Sequence, residues 1–306
     1  MDPVSVQNTG RRLSRMRIVL IIVIVCGFLL AGIPSLLRAR ESARKSACIN
    51  NLKQLGLALD SFARDHGGLY PRIDDRRGNL IFKGGLLYPA YMKQIDILGC
   101  PSDSGYRRGV TFRLKSAAAD ANIEKSIPHP NAITCESYVY LGWITTNEKE
   151  GLAAIAAYLE LFDKKGDRKI ETGDDENESG LLLTSRDIYS APSDKVVESH
   201  FDGDLIVEPG DGNLGTNVIH RLTDHAEIYA LPPELLNPEV RFPSVVPVMW
   251  EWPDNHSPSG GHVLYLDYHV EFVEYPGKFP MTKDFIETLR MLEVDLPPAV
   301  PPVSTK

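Results

Sequence analysis

The sequence predicts an α+β fold in which one long N-terminal helix packs on an antiparallel β-sheet. Residues 18–37 form an apolar run without a charged residue, which is long enough to cross a bilayer core as one helix. Polar sequence follows, and in it apolar residues at three- and four-residue spacings form one helical stripe, namely Leu52, Leu55, Leu59 and Phe62. Apolar residues alternate around a two-residue turn between Val263 and Phe272, which indicates a β-hairpin.

The first helix is expected to run without a break from the apolar segment into the polar one, because no helix breaker lies between Ser35 and Gly67. Its first half would lie in lipid, and its amphipathic second half would pack on the folded domain. Four later segments are predicted from their periodicity, namely strands at 137–143 and 217–222 and helices at 152–162 and 282–293.

Charge is distributed unevenly along the 306 residues. Residues 1–53 carry nine Lys and Arg against two Asp and Glu, whereas the whole chain has a net charge of −8, so the rest of the chain is strongly acidic. Nucleic-acid phosphates are bound by clustered lysine and arginine, so an acidic domain argues against a nucleic-acid partner. Basic residues flank the apolar run on both sides, and their counts alone leave its orientation in the membrane open.

Two segments carry specific motifs. The first lies in the helix and consists of Arg40, Glu41, Ala43, Arg44, Cys48, Asn50, Asn51, Leu52, Lys53 and Gln54. The second, residues 255–272, contains His256, Asp267 and His269 in an arrangement close to His-x9-Asp-Gly-His-Val. Both resemble the type IV pilin and type II secretion pseudopilin superfamily, in particular its planctomycete-type branch.

The resemblance implies a single-pass inner-membrane protein with a pilin-like fold. Residues 1–17 would be cytoplasmic, and residues 18–37 would span the membrane. Residues 38–295 would form a periplasmic or extracellular domain with an insertion near 150–215, followed by a proline-rich tail at 296–306. The partners would be the membrane and other pilin-like subunits or secretion machinery.

The expected function is that of a structural subunit of a type II secretion-like or type IV pilus-like assembly, with no catalytic residue and no required cofactor. Two alternatives belong to other functional classes. One is a permanently anchored envelope ectodomain that binds a partner or a glycan, and the other is a metal-dependent envelope hydrolase.

Three positions depart from the family pattern. Alignment on Pro34 and Cys48 places Arg12 and Arg17 where the prepilin-peptidase site has glycine and glutamate, so we expect no cleavage between residues 12 and 13. Tyr268 stands where the hairpin turn of the family has a glycine, which reaches positive φ without steric cost. The hairpin is expected to form with a strained or different turn.

The segment after the predicted helix at 152–162 resembles a degenerate calcium loop of the EF-hand type. Four residues would supply its oxygen ligands: Asp163, Asp167, Lys169 through its carbonyl, and Asp174. Lys165 replaces a further oxygen ligand and Arg168 replaces the glycine of the sharp turn, and both changes weaken binding. A solvated acidic loop is the alternative.

Histidines and carboxylates are concentrated late in the chain: His220, Asp224, His225, His256, His262, Asp267 and His269. The preferred interpretation is structural, with His256 and Asp267 fixing the loop and the hairpin by hydrogen bonds. Metal binding and acid–base chemistry are the alternatives, in which His262 and His269 would face each other across the hairpin.

Three cysteines outside the apolar run allow one intramolecular disulfide. An oxidising compartment would permit it. We favour a Cys100–Cys135 bond over a bond that involves Cys48.

Overall fold

The structure is a computed structural model that describes four stretches of the chain, residues 7–114, 127–166, 200–224 and 245–293. Within the first helix, side chains are described at residues 17–23 and 33 and from residue 35 onward. The chain divides into two compact units, Met1–Ala47 and Cys48–Lys306. In the first unit the described residues are helical, and apolar side chains such as Ile18 and Val23 are exposed.

The described stretches contain four α-helices: α1 (Gln7–Asp65), α2 (Gly84–Leu87), α3 (Glu148–Gly166) and α4 (Lys283–Glu293). The predicted continuity of α1 is confirmed. The helix ends where Gly67 and Gly68 take φ angles of 65° and 88°, and the N–H of Gly68 donates to the carbonyl of Ala63 at 2.8 Å, as in a glycine C-cap. Among the described residues, no helix is both long enough and apolar enough to span a membrane.

Eight strands are seen in the same stretches: β1 (Arg113–Leu114), β2 (Ile127–Pro128), β3 (Tyr138–Tyr140), β4 (Leu205–Ile206), β5 (Val218–Ile219), β6 (Pro247–Glu251), β7 (Gly260–Tyr265) and β8 (Val270–Glu274). A central four-stranded sheet has the order β3-β6-β7-β8, and each neighbouring pair in it is antiparallel. β1 pairs with β2, and β4 pairs with β5. The predicted α+β class with an antiparallel sheet is therefore confirmed.

The second half of α1 contributes one face to the hydrophobic core. The predicted stripe is buried, with Leu52, Leu55 and Leu59 at 0% exposure and Phe62 at 5%, whereas Leu57 on the opposite face is 61% exposed. α1 packs closely against the hairpin at Gly56, because a Cβ atom there would lie 3.2 Å from the side chain of Leu264. The inward face predicted for α4 is also confirmed, since Phe285, Ile286, Leu289 and Leu292 are buried.

The hairpin formed by β7 and β8 has a three-residue loop, so the predicted two-residue turn is wrong. The N–H of Tyr268 donates to the carbonyl of Tyr265, the N–H of Tyr265 donates to that of His269, and Tyr268 has a φ of 67°. This is the pattern of a type I turn followed by a left-handed residue, a position that favours glycine. The Tyr268 hydroxyl donates a hydrogen bond to Asp60 of α1 at 2.6 Å, and this contact offsets part of the cost of the positive φ and connects the turn to the helix.

The predicted helix at 152–162 is confirmed as part of α3, and it belongs to the core. Tyr158 is fully buried, and its hydroxyl accepts a hydrogen bond from the N–H of Gly78 at 3.2 Å. α3 continues to Gly166, so the backbone of Asp163 is helical. The other ligands of the proposed calcium loop, Asp167, Lys169 and Asp174, lie outside the described residues, and calcium binding there stays a prediction.

A loop carboxylate after α1 provides a pH-dependent contribution to stability. Asp75 accepts hydrogen bonds from Arg72 and from Lys83, the latter at 2.5 Å. Burial alone would raise the pKa of Asp75, but the hydrogen bonds and positive charges of these two partners lower that pKa below its ordinary value. Its ion pairs therefore stabilise the fold above the unfolded-state pKa of about 4 and lose this effect as pH falls through the folded-state pKa.

We expect Asp75→Asn to lower the free energy of unfolding by up to about 1 kcal/mol at pH 7, because the group is partly exposed and screened. The difference from the wild type should shrink as the pH falls below about 4. Chemical denaturation of both proteins at a series of pH values measures this, with Glu208→Gln at an exposed position as the control. A difference that persists unchanged at the lowest pH would contradict the ionic origin.

Candidate functional site

A buried cluster of cysteine, glutamate and histidine side chains joins α1 to the central sheet. Cys48 lies on α1 four residues before Leu52, and Cys100 follows the short 3-10 helix Ile95–Leu98. The sheet and its connections supply the remaining side chains, Glu251 at the end of β6, His256 in the β6–β7 connection and His262 in β7. All five cluster residues are 6% exposed or less.

Cys48 forms a disulfide with Cys100, so the predicted Cys100–Cys135 bond is wrong. Cys135 is held elsewhere by residues of another loop. Its N–H donates to the side-chain oxygen of Asn79 at 3.0 Å, and its Sγ lies 3.6 Å from the carbonyl of Gly78.

Two features bring Cys48 to Cys100. Cys48 continues the buried stripe of α1 toward the N-terminus, and Asn51 donates through its side-chain amide to the carbonyl of Gly99 at 3.0 Å. The disulfide closes a loop with a sequence separation of 52 residues. For a loop of this length, the chain-entropy model assigns a stabilisation of about 4 kcal/mol.

Glu251 is the centre of the cluster. Its Oε2 accepts hydrogen bonds from His256 Nε2 at 2.8 Å, from His262 Nδ1 at 2.6 Å and from the backbone N–H of His262 at 2.8 Å. The two imidazole rings meet edge to face, with their centroids 4.9 Å apart. His256 Nε2 also lies 3.8 Å from Cys100 Sγ, which connects the carboxylate to the disulfide.

The electrostatics of the cluster favour an ionised carboxylate. Burial alone would raise the pKa of Glu251, but the hydrogen bonds from His256 and His262 and their charges together lower that pKa below its ordinary value. A buried charge of this kind is stable only while its hydrogen-bonding partners remain in place. The three side chains therefore act as one unit that fixes β6, β7 and the connection between them.

The other residues of the predicted histidine and carboxylate set lie apart from this cluster. His269 Nδ1 is 2.5 Å from Asp267 Oδ1 in the hairpin turn, and the backbone N–H of His269 donates to the same oxygen at 3.2 Å. His262 is paired with Phe272, so the expectation that His262 and His269 face each other is wrong. His220 contacts Asp204 at 2.9 Å, and His225 lies outside the described residues.

Sequence reasoning missed the central residue, Glu251, and placed a bond that involves Cys48 second to the Cys100–Cys135 bond. For Cys48 a signal existed, because its spacing from Leu52 continues the apolar stripe of α1. For Glu251 no local signal existed. It directly follows the apolar strand residues Val248–Trp250, and its burial depends on two histidines that come later in the chain.

The chemical capacity of the cluster lies in its donor atoms. Cys48, Cys100, Glu251 and His256 each offer one ligand atom, and these atoms all lie within 4.8 Å of one another. In the part of the chain that the structure describes, this is the one group of three or more such residues that is placed to hold a metal ion. In the disulfide form the two sulfur atoms are bonded to each other beside the buried pair of His256 and Glu251.

The fold and the site define an α+β protein whose long N-terminal helix is tied by a disulfide to a domain with a central antiparallel sheet. Residues 38–79 match the model of a protein family described as "Protein of unknown function (DUF1559)". This segment contains Cys48 and the buried half of α1 and covers less than half of the chain. No curated protein and no solved structure matches the chain.

Proposed function

We propose that this chain is a membrane-anchored pilin-like or pseudopilin-like structural subunit of a type II secretion-like or type IV pilus-like assembly. The observation that carries the proposal is the single helix α1, which is continuous over Gln7–Asp65 and whose second half is buried in a domain with an antiparallel sheet. The family match over residues 38–79 covers the same part of α1 and supports it.

The proposal assigns residues 18–37 to the membrane, residues 1–17 to the cytoplasm and the second unit to the periplasm or cell exterior. The uncharged run at 18–37 has the length that a bilayer core requires. The Cys48–Cys100 disulfide supports this topology, since such bonds persist in oxidising compartments. The cluster around Glu251 has a structural role in this proposal.

A permanently anchored ectodomain that binds a partner or a glycan is the second candidate. Arg12 and Arg17 favour it, because they replace the glycine and glutamate on which processing and filament packing depend in the family that the sequence resembles. The two candidates differ in whether the protein assembles with other chains. A pilin-like subunit assembles into filaments or copurifies with secretion components, whereas an anchored receptor does neither.

Expression of the full chain in its native membrane tests both candidates. We expect the protein to resist alkaline extraction from membranes and to start before residue 13 by mass spectrometry, and we expect electron micrographs or crosslinking to show assemblies. A Leu20→Arg, Val23→Arg double variant is the matched control and should leave the membrane fraction. Membrane retention without assemblies favours the receptor, and a wild-type protein released by alkaline extraction contradicts both.

A further inference from the structure

We propose that reduction of the Cys48–Cys100 disulfide converts the buried cluster into a binding site for one Zn²⁺ ion, with Cys48, Cys100, His256 and Glu251 as its ligands. This inference goes beyond the proposed structural function and does not depend on it. In the oxidised protein the two sulfur atoms are bonded to each other. In the reduced protein they are free to coordinate a metal.

The distances between the donor atoms fit tetrahedral zinc. Zinc binds sulfur at about 2.3 Å and imidazole nitrogen at about 2.0–2.1 Å, so the two donors are roughly 3.6 Å apart in a tetrahedral site. His256 Nε2 lies 3.8 Å from Cys100 Sγ, and all four donor atoms fall within 4.8 Å of one another. In the reduced protein the two sulfur atoms would move apart to about 3.8 Å, the separation of two thiolates on tetrahedral zinc.

The carboxylate has an unused coordination position. Glu251 Oε1 is buried and has no hydrogen-bond partner among the described residues, whereas Oε2 accepts three hydrogen bonds. His262 holds this carboxylate through its ring and its backbone N–H, which is the role of an outer-shell residue that orients a metal ligand. Four protein ligands close the coordination sphere, so the site is structural rather than catalytic.

Charge balance distinguishes the two states. Reduction by a dithiol transfers two electrons and two protons to the disulfide, which yields two thiols and leaves the reductant as a cyclic disulfide. Zinc binding then displaces the two thiol protons to solvent. His256 coordinates as the neutral tautomer with its proton on Nδ1, so Nε2 exchanges its hydrogen bond to Glu251 for the metal, and Glu251 Oε2 keeps the two hydrogen bonds from His262. The dication balances the charge of the two thiolates, and the site keeps one net negative charge from Glu251. Thiolate and imidazole ligands select zinc and cobalt over calcium and magnesium. Because the same two sulfur atoms form either the disulfide or the bonds to zinc, the protein cannot contain both at once.

Cobalt provides a spectroscopic test on the full chain in detergent. The protein is reduced with a dithiol under anaerobic conditions, desalted and titrated with Co²⁺, and then zinc is added in competition. We expect one equivalent of Co²⁺ with thiolate-to-cobalt charge-transfer and tetrahedral ligand-field bands, which zinc abolishes. The oxidised protein should show neither band. This comparison needs no substitution, so it remains decisive if a variant fails to fold.

Variants assign the ligands. Cys48→Ser and Cys100→Ser should abolish the charge-transfer band or move it, and His262→Ala should weaken the affinity roughly 10–100-fold as an outer-shell change. Cys135→Ser is the matched control, because Cys135 is buried outside the cluster, and it should bind like the wild type. The proposal is overturned if the reduced wild type binds no stoichiometric metal, or if the Cys48→Ser variant gives the same spectra as the wild type.

Discussion

Replacement of Glu251 by leucine is expected to lower the free energy of unfolding by roughly 3–5 kcal/mol, the cost of breaking a buried ion pair. Leucine has a similar volume, so the loss reports the carboxylate rather than a cavity. Without the Glu251 carboxylate, three buried donors lose their common acceptor: His256 Nε2, His262 Nδ1 and the backbone N–H of His262. Denaturant unfolding of the full chain, followed by the fluorescence of buried Trp250, measures the change.

Glu274→Leu is the matched control, because Glu274 lies in β8 of the same sheet and is exposed. It should change the free energy of unfolding by no more than about 0.5 kcal/mol. If both variants behave alike, the hydrogen bonds to Glu251 do not stabilise the sheet, and the central position assigned to this residue is incorrect.

The second large effect is expected at the interface between α1 and the sheet. Leu59→Ala should lower the free energy of unfolding by about 2–5 kcal/mol, because Leu59 is completely buried and its truncation leaves a cavity in the core. The same unfolding experiment measures it. Leu57→Ala provides the control, since it makes the same chemical change two residues away on the exposed face of the helix.

The two leucine variants should differ clearly in the free energy of unfolding. Leu57→Ala should stay within about 0.5 kcal/mol of the wild type, as surface substitutions usually do. Equal losses at both positions would mean that the exposed face of α1 is covered by another surface in the protein as it exists.

Elements that bury one face were predictable from the sequence. The stripe of α1 and the inward face of α4 follow from spacing alone, because burial of one helix face demands apolar residues at three- and four-residue intervals. Alternation predicted the hairpin for the same reason. The form of its turn was not predictable. Tyr268 has a positive φ, and the hydrogen bond that its hydroxyl donates there goes to Asp60, which lies 208 residues earlier in the chain.

The candidate site was not predictable, because distant contacts assemble it. Cys48 and Cys100 are 52 residues apart, and Cys100 and His256 are 156 residues apart. No local sequence pattern predicts contacts over such separations. They depend on the loops that carry Cys100 and His256, and these loops have no periodicity that the sequence could reveal. The choice between Cys48 and Cys135 as the disulfide partner depended on Asn79 and Gly78, which hold Cys135 in place.

The disulfide also determines how a pulling force travels through this chain. Cys48 is the first residue of the second unit, and the backbone from Cys48 to Cys100 is a closed loop. Tension applied before Cys48 and after Cys100 passes through the sulfur–sulfur bond, because the covalent bridge is the shorter path. Residues 49–99, which include the buried half of α1, then carry no tension along their backbone. In a chain that is pulled from both ends, one covalent bond would therefore keep mechanical load off this part of the core.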